Sequence, residues 1–254
     1  MTDAVLKAAR GLKRDFGEVE NLQVSPKGPY DFVTNADLAA EKSLIASFQK
    51  ARPEFGILSE EKGEIEGAGE YRFIIDPLDG TANFIHGIPY FCTSIGLERT
   101  RKDGKAEIIA GVTYDPLLDE LYWAEKGVGA YCNNRRLRVS GRKKLETSMI
   151  AAASPNARVA DVNYFTGLKK IASQSFGVRC TGSAALDMAY TAAGRFDAFY
   201  RINIKPWDVA AGIILIREAG GVVTEIGGGE NVIYGENLLA GNEALHKSID
   251  NVLV

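Results

Sequence analysis

The residues with the clearest capacity for chemistry lie in the segment Phe73-Ile-Ile-Asp-Pro-Leu-Asp-Gly-Thr-Ala-Asn-Phe-Ile-His-Gly-Ile-Pro89. An apolar run delivers Asp76 to its end. Pro77 lacks a ladder donor and is expected to stop the strand, and Asp79-Gly80 turns the chain into Thr81 at what reads as a helix start. Two carboxylates and a hydroxyl therefore converge on one strand end. Mg2+ is a hard cation held by a few carboxylates together with water and substrate phosphate, so this convergence is a candidate half of a Mg2+ site. The backbone N–H groups of Gly80 and Thr81, at a helix N-terminus, would face an anion such as phosphate. An isolated Asp-Gly is usually only a turn, and it is the whole string that argues for more.

Two further acidic positions matter. Glu60 and Glu61 follow the short apolar run 57–59, a place where α/β proteins assemble sites, although such a pair alone would sooner be solvated surface. Asp208 opens a helix of small and apolar residues in Lys205-Pro-Trp-Asp-Val-Ala-Ala-Gly-Ile-Ile-Leu-Ile-Arg-Glu-Ala-Gly-Gly221. It serves equally as a helix cap or as a carboxylate facing a metal. Asp37 is open between a helix N-terminal charge and a functional acid. His86 is read as a packing or hydrogen-bonding residue, because metal-water chemistry needs no imidazole base, and Trp207 as core rather than a substrate platform.

The elements that must position these groups follow from periodicity. Residues 2–16 and 36–50 read as amphipathic helices; in the second, Ala40, Leu44 and Phe48 recur every fourth residue while Glu41, Lys42 and Lys50 can face water. Residues 71–139 read as short strands separated by turns, which suggests an antiparallel sheet. From about Ser148 strand and helix alternate: a strand at 149–153, helices near 162–173 and 183–193, a strand at 196–200 and a helix over 208–219. The run 135–144, with six basic residues in ten, marks the change, and the halves are divided there into 1–145 and 146–254.

Composition narrows the function. The chain has 254 residues and a formal charge of −3, enough length for a large core and no global field for gripping nucleic acid or membrane. Cys92, Cys132 and Cys180 have neither disulfide nor zinc spacing, which fits a reducing, cytoplasmic setting. The charged N-terminus lacks a signal-peptide pattern, and no apolar run approaches membrane-spanning length.

The ordered strings Asp-Pro-Leu-Asp-Gly-Thr at 76–81 and Trp-Asp-Val-Ala-Ala-Gly with Glu-Ala-Gly-Gly at 207–221 resemble the two signatures of the inositol monophosphatase family. The similarity extends to Asp31-Phe-Val-Thr-Asn-Ala-Asp37, Ser59-Glu60-Glu61 and Gly182-Ser-Ala-Ala185, and so spans nearly the whole chain. The resemblance implies an α/β fold, a layered αβαβα sandwich with an antiparallel-sheet N-terminal half and an α/β C-terminal half. It implies a homodimer, inhibited by lithium, that hydrolyses a small polyol or sugar phosphate monoester, inositol monophosphate first, by metal-activated water. It further implies two or three Mg2+ ions: Glu60, Asp76 and the Leu78 carbonyl hold one, Asp76, Asp79 and Asp208 a second, and a third sits beside Glu60. Thr81 with Asp37 would orient the water, and Asp79, Gly80, Thr81, Gly182, Ser183, Ala184, Arg201 and Asp208 would meet the substrate.

One position departs from the pattern. Six residues before Trp207 the family commonly has a glutamate that accepts hydrogen bonds from ring hydroxyls, and this chain has Arg201. Guanidinium only donates, and its fork suits a second phosphate or a carboxylate, so fructose 1,6-bisphosphate or another sugar phosphate is an alternative substrate. A phosphatase using an aspartyl nucleophile in Asp-x-Asp-Gly-Thr is disfavoured by register, because the nucleophile would fall on Pro77; a phospho-aspartate trapped during turnover would revive it. A protein that docks RNA or the transcription machinery through 135–144 is a third reading. It is disfavoured by the absence of interleaved aromatic residues and by the negative net charge.

Overall fold

Helix α1 (Thr2–Phe16) buries Val5, Ala8, Ala9 and Leu12, the three- and four-residue spacing its sequence predicts. Helix α2 (Asn35–Ala51) does the same with Ala36, Ala40, Leu44 and Phe48, and Thr34 with Asp37 forms a capping box at its start. The structure, a computed structural model, describes residues 1–18, 24–28, 31–152 and 162–253; side chains at 24–28, 31–33 and 162–163 lie outside that description, as does Ala153 at the end of the strand read at 149–153.

A hairpin, β1 (Val24–Gly28) with β2 (Asp31–Thr34), leads into α2. An eight-stranded sheet follows, built from β3 (Gly56–Ser59), β4 (Gly63–Ile65), β5 (Tyr71–Asp79), β6 (Cys92–Thr100), β7 (Ala106–Asp115), β8 (Glu120–Glu125), β9 (Gly129–Cys132) and β10 (Arg135–Arg136). Its order is β10-β9-β8-β7-β6-β5-β3-β4, and only the β3–β5 pair is parallel. A second sheet has the order β12-β11-β13-β15-β14, from β11 (Met149–Ala152), β12 (Gly177–Arg179), β13 (Ala198–Ile202), β14 (Val222–Thr224) and β15 (Asn237–Gly241). Strand β11 runs parallel to β12 and β13, while β15 is antiparallel to β13 and β14. The remaining helices are α3 (Thr81–Ile85), α4 (Val162–Gln174), α5 (Ala184–Ala192), α6 (Pro206–Glu218) and α7 (Glu243–Leu253).

Three apolar clusters stack these elements into five layers. Helices α1 and α2 cover one face of the first sheet through Leu44, Phe48, Phe73 and Ile75. Helices α5 and α6 lie between the sheets, packing Leu186, Val209 and Ile213 with Ile74 and Tyr122 on one side and Phe199 and Leu238 on the other. Helices α4 and α7 close the far face through Tyr164, Ile171 and Ile249. This is the αβαβα sandwich the sequence resemblance implies.

The basic run is a connector at the edge of the first sheet. Arg135 and Arg136 are exposed on β10, Arg142 pairs with Asp197 at 3.1 Å, and Lys144 pairs with Glu146 at 3.5 Å. The chain passes from the first sheet to the second between Arg136 and Met149.

Two expectations fail. Pro77 does not stop its strand, because β5 runs on to Asp79: Asp76 is opposite Ser94 and Asp79 opposite Cys92, so the strand holds one extra residue there. A bulge is where a strand tolerates proline. Glu41 does not face water. It is 5% exposed, and its Oε1 accepts the Ser59 hydroxyl and the N–H groups of Glu61 (3.1 Å) and Lys62 (2.9 Å), which satisfies a buried carboxylate and fastens the turn after β3.

Helix α6 lies unusually close to the first sheet because β6 and β7 offer it glycines. A Cβ on Gly96 would come within 2.5 Å of the Ala210 Cβ, and one on Gly111 within 2.8 Å of the Ala211 Cα. Gly11, in α1, meets nothing within 4 Å. Gly96→Ala is therefore expected to destabilise the protein by about 1–3 kcal/mol through overpacking. Gly11→Ala should stabilise it by about 0.5–1 kcal/mol by removing unfolded-chain freedom. Denaturant unfolding checks both; equal and small effects would mean that α6 has room to move.

Candidate functional site

The bulge in β5 decides which way its acids point. Side chains alternate along a strand, so Asp76 and Asp79 would ordinarily face opposite sides. Phe73 and Ile75 pack toward α1 and α2 and Ile74 toward α6, yet Leu78 joins the α1–α2 cluster. The extra residue has reset the alternation and returns Asp79 to the side of Asp76. Two hydrogen bonds hold the irregular backbone: Leu78 N–H to Asp76 Oδ1 (3.0 Å) and the Thr93 hydroxyl to the Pro77 carbonyl (2.9 Å).

Asp208 reaches the same place from the opposite layer. It stands at the third position of α6 rather than at the cap, and its carboxylate accepts the Lys205 N–H at 3.0 Å. One oxygen each of Asp76, Asp79 and Asp208 lies within 4.8 Å of the others. Glu60, in the turn that Glu41 fastens, donates its N–H to the Ile75 carbonyl (3.2 Å) and hydrogen-bonds through its side chain with Asp76.

Such a cluster resists ionisation. Burial, followed by the charges of Glu60, Asp79 and Asp208, pushes Asp76 well above the usual carboxylate range. Burial and Asp208 push Asp79 up to about 6, against the opposing pull of the Ser183 hydrogen bond and the Arg201 charge. Asp208 is raised by burial, offset by Arg201 and the Lys205 N–H. Among the described residues, no lysine or arginine forms an ion pair with any of the three. An all-oxygen set of mutually repelling carboxylates fits a hard divalent cation such as Mg2+.

Thr81 begins α3 beside this cluster. A five-residue helix has little stability of its own; here Phe84 locks it between Phe16 and Phe91. Gly80 caps it at φ +99, a conformation that favours glycine, and a Cβ there would lie 3.0 Å from the Tyr90 carbonyl. The Thr81 hydroxyl lies 3.1 Å from Asp37 Oδ1 and 3.0 Å from the Leu78 carbonyl. Asp37 accepts the Thr34 N–H (2.9 Å) and hydroxyl through its other oxygen, so it caps α2 and reaches Thr81 at once. Burial raises its pKa, and the Thr34 and Thr81 hydrogen bonds oppose the rise.

The segment 182–185 enters differently from a simple substrate-contact role. Ser183 and Ala184 have no exposed surface. Ser183 Oγ donates to Asp79 Oδ2 at 2.7 Å, and the Ala185 N–H donates to the same oxygen at 2.6 Å, which leaves Oδ1 without either bond. Gly182 alone of the three named positions is exposed. Arg201 projects from β13, and its charge acts on Asp79 and Asp208. His86 is exposed, with Nδ1 2.8 Å from the Ala82 carbonyl, and Trp207 packs against the central core.

Sequence reasoning missed three contributors: Glu41, Asp187 and Asn83. Asp187, buried in α5, accepts the Tyr90 hydroxyl (2.8 Å) and the Thr181 hydroxyl, and burial pushes it up to about 7. Asn83 Nδ2 donates to the carbonyls of Tyr90 (2.7 Å) and Thr181 (2.8 Å), tying the loops before β6 and α5 together at the mouth of the site. The signal for Asp187 was a lone charge inside the otherwise apolar run 184–189.

Comparisons with known proteins show the family and the fold. A profile of the inositol monophosphatase family matches residues 1–253. An inositol-1-monophosphatase of Mesorhizobium japonicum is 49% identical over 251 residues, 98% of this chain and 92% of the relative. The Nus factor SuhB of Escherichia coli is 41% identical over 248 residues, 97% of this chain and 91% of the relative. The crystal structure of the extragenic suppressor protein suhB from Bartonella henselae superimposes with a TM-score of 0.94 at 49% identity, covering 100% of this chain and 96% of that one.

The raised carboxylates give a test that needs no substrate. Each binds its proton more tightly folded than unfolded, so its stabilising contribution is complete below an unfolded value of about 4 and is lost as pH rises. For Asp79 the loss runs through about 6. In EDTA the cluster's contribution is therefore expected to lower the melting temperature between pH 5 and pH 8, and Mg2+ should restore most of that loss at pH 8 while doing little at pH 5. Melting curves with and without Mg2+ at both pH values decide it; an Mg2+ response of equal size at each would contradict the reading.

Proposed function

This chain belongs to the inositol monophosphatase family, whose members are phosphatases, and we propose that it hydrolyses phosphate monoesters of small polyols or sugars with Mg2+, inositol monophosphate being the candidate that the relatives' names supply. The observation that carries the reading is the convergence of Asp76, Asp79 and Asp208 within 4.8 Å, with Thr81 and Asp37 in hydrogen-bond contact beside them. Glu60, Asp76 and the Leu78 carbonyl would hold one ion, Asp76, Asp79 and Asp208 a second, and a third would sit beside Glu60. Bound there, Mg2+ supplies charge that stabilises the phosphoryl oxygens and makes a nearby water more acidic.

The chain's own groups supply the positioning. Thr81 donates its proton toward Asp37, so its oxygen is free to accept a hydrogen bond from the attacking water and aim it. The N–H groups of Gly80 and Thr81 receive phosphate. Ser183 and the Ala185 N–H fix Asp79 by one oxygen and leave the other for the cation. The thiols Cys92 and Cys132 are free and buried, which supports a reducing, cytoplasmic setting, and a homodimer inhibited by Li+ accords with the family. Two of the six basic side chains in 135–144 are engaged within the protein, Arg142 with Asp197 and Lys144 with Glu146, which counts against that run as a docking surface for RNA or the transcription machinery.

Phosphate release from a panel of inositol, sugar and nucleotide monophosphates tests the reading. Asp79→Asn should nearly abolish turnover while leaving the fold intact, because it removes a charge without opening a cavity; full turnover in EDTA would remove the metal from the account. Thr81→Ala should lower kcat by roughly two orders of magnitude with little change in KM, as loss of a transition-state contact does. A loss confined to KM would instead assign Thr81 to phosphate binding.

A further inference from the structure

Arg201 is a cation set among anions, and among the described residues it forms an ion pair with none of them. In β13, Ala198 and Tyr200 face α4 and α7, whereas Phe199 faces α5 and α6. Strand alternation puts Arg201 on the side of Phe199, toward the layer that carries Asp187 and Asp208. Its positive charge lowers the pKa of Asp79, Asp187 and Asp208 against their burial, in keeping with that placement.

Among the described residues its guanidinium nevertheless makes no ion pair, and it is only partly exposed. Each nearby carboxylate has one oxygen engaged by another donor: Asp79 Oδ2 by Ser183 and Ala185, Asp187 Oδ1 by Tyr90 and Thr181, and Asp208 Oδ2 by Lys205. A guanidinium offers five N–H donors in a planar fork and accepts nothing, so its complement is a phosphate or a carboxylate, and a ring hydroxyl is a poor match. Divalent cations on Asp79 and Asp208 would cancel the charges that attract Arg201 within the protein and leave its own charge for an incoming anion.

We propose that Arg201 reads a second anionic group on the substrate, so that this site prefers small phosphate esters bearing another phosphate or a carboxylate over those bearing only hydroxyls. The proposal rests on the phosphatase reading above. Its structural competitor is that Arg201 serves only as an internal counter-charge for the acid cluster.

The experiment compares kcat/KM for fructose 1,6-bisphosphate and inositol 1-phosphate in the parent protein, Arg201→Gln and Arg201→Glu at saturating Mg2+, with Mg2+ affinity read separately from thermal shift. Arg201→Gln should lower kcat/KM for the bisphosphate by about tenfold or more, mainly through KM, as loss of a charge-assisted contact does. Its effect on inositol 1-phosphate, which offers the fork only hydroxyls, should be several times smaller, so that the ratio falls, and Arg201→Glu should move the ratio further in the same direction. An unchanged ratio with altered Mg2+ affinity overturns the proposal in favour of the counter-charge role and leaves the phosphatase reading standing. Failure of the parent to turn over either ester overturns both.

Discussion

Like-charge repulsion among Asp76, Asp79 and Asp208 is the constraint on which the rest of the structure depends. Carboxylates this close, at the effective dielectric of a protein interior, repel by several kcal/mol per pair when ionised, and burial adds to the cost. A fold keeps such a cluster only if the surrounding structure forces it. Here the forcing comes from the first sheet, which carries Asp76 and Asp79, and from the helices packed on it, α6 with Asp208 and α5 with Ala185, so the charge is concentrated between these two layers.

Each device around the cluster serves that concentration. The one-residue bulge at Pro77 turns Asp79 to the face of Asp76. Gly96 and Gly111 let α6 lie close enough to the first sheet for Asp208 to join them. Ser183 and the Ala185 N–H bind one oxygen of Asp79, and Glu41 fastens the turn that carries Glu60. Thr81 is held by the Leu78 carbonyl on one side and by Asp37 on the other, so the α2 cap and the pair proposed to position water share one carboxylate. Removing any of these is expected to loosen the cluster before it unfolds the protein, because each is linked to the core through packing that survives its loss.

Much of this was readable from residue order. The helices over 2–16 and 36–50, the acids at 76, 79 and 208 and the departure at Arg201 are local features, and local spacing reports them. The bulge was not readable, because it is a mismatch between β5 and a partner strand, and a proline alone looks like a stop. Glu41 sits at a helical position that reads as solvent-facing; only the return of the chain at 59–62 gives its carboxylate donors. Ser183 looked like a substrate contact because its motif does, but its hydroxyl is turned to Asp79, a partner 104 residues away. Strands β14 and β15 escaped notice because β14 is three residues long and β15 pairs with β13 across the intervening α6, so their signal is tertiary; helix α7, with Leu245, Ile249 and Leu253 every fourth residue, was legible and was not read.

The central claim is that a divalent cation discharges a protonated acid cluster, and calorimetric titration of the metal-free protein with Mg2+ near pH 6 tests it most directly. Carboxylates raised in pKa must release protons when the cation binds. Titrations in buffers of different ionisation enthalpy should therefore give apparent binding heats that differ in proportion, with the difference shrinking at pH 8. Binding whose heat is independent of the buffer at pH 6, or no binding at all, would contradict the account.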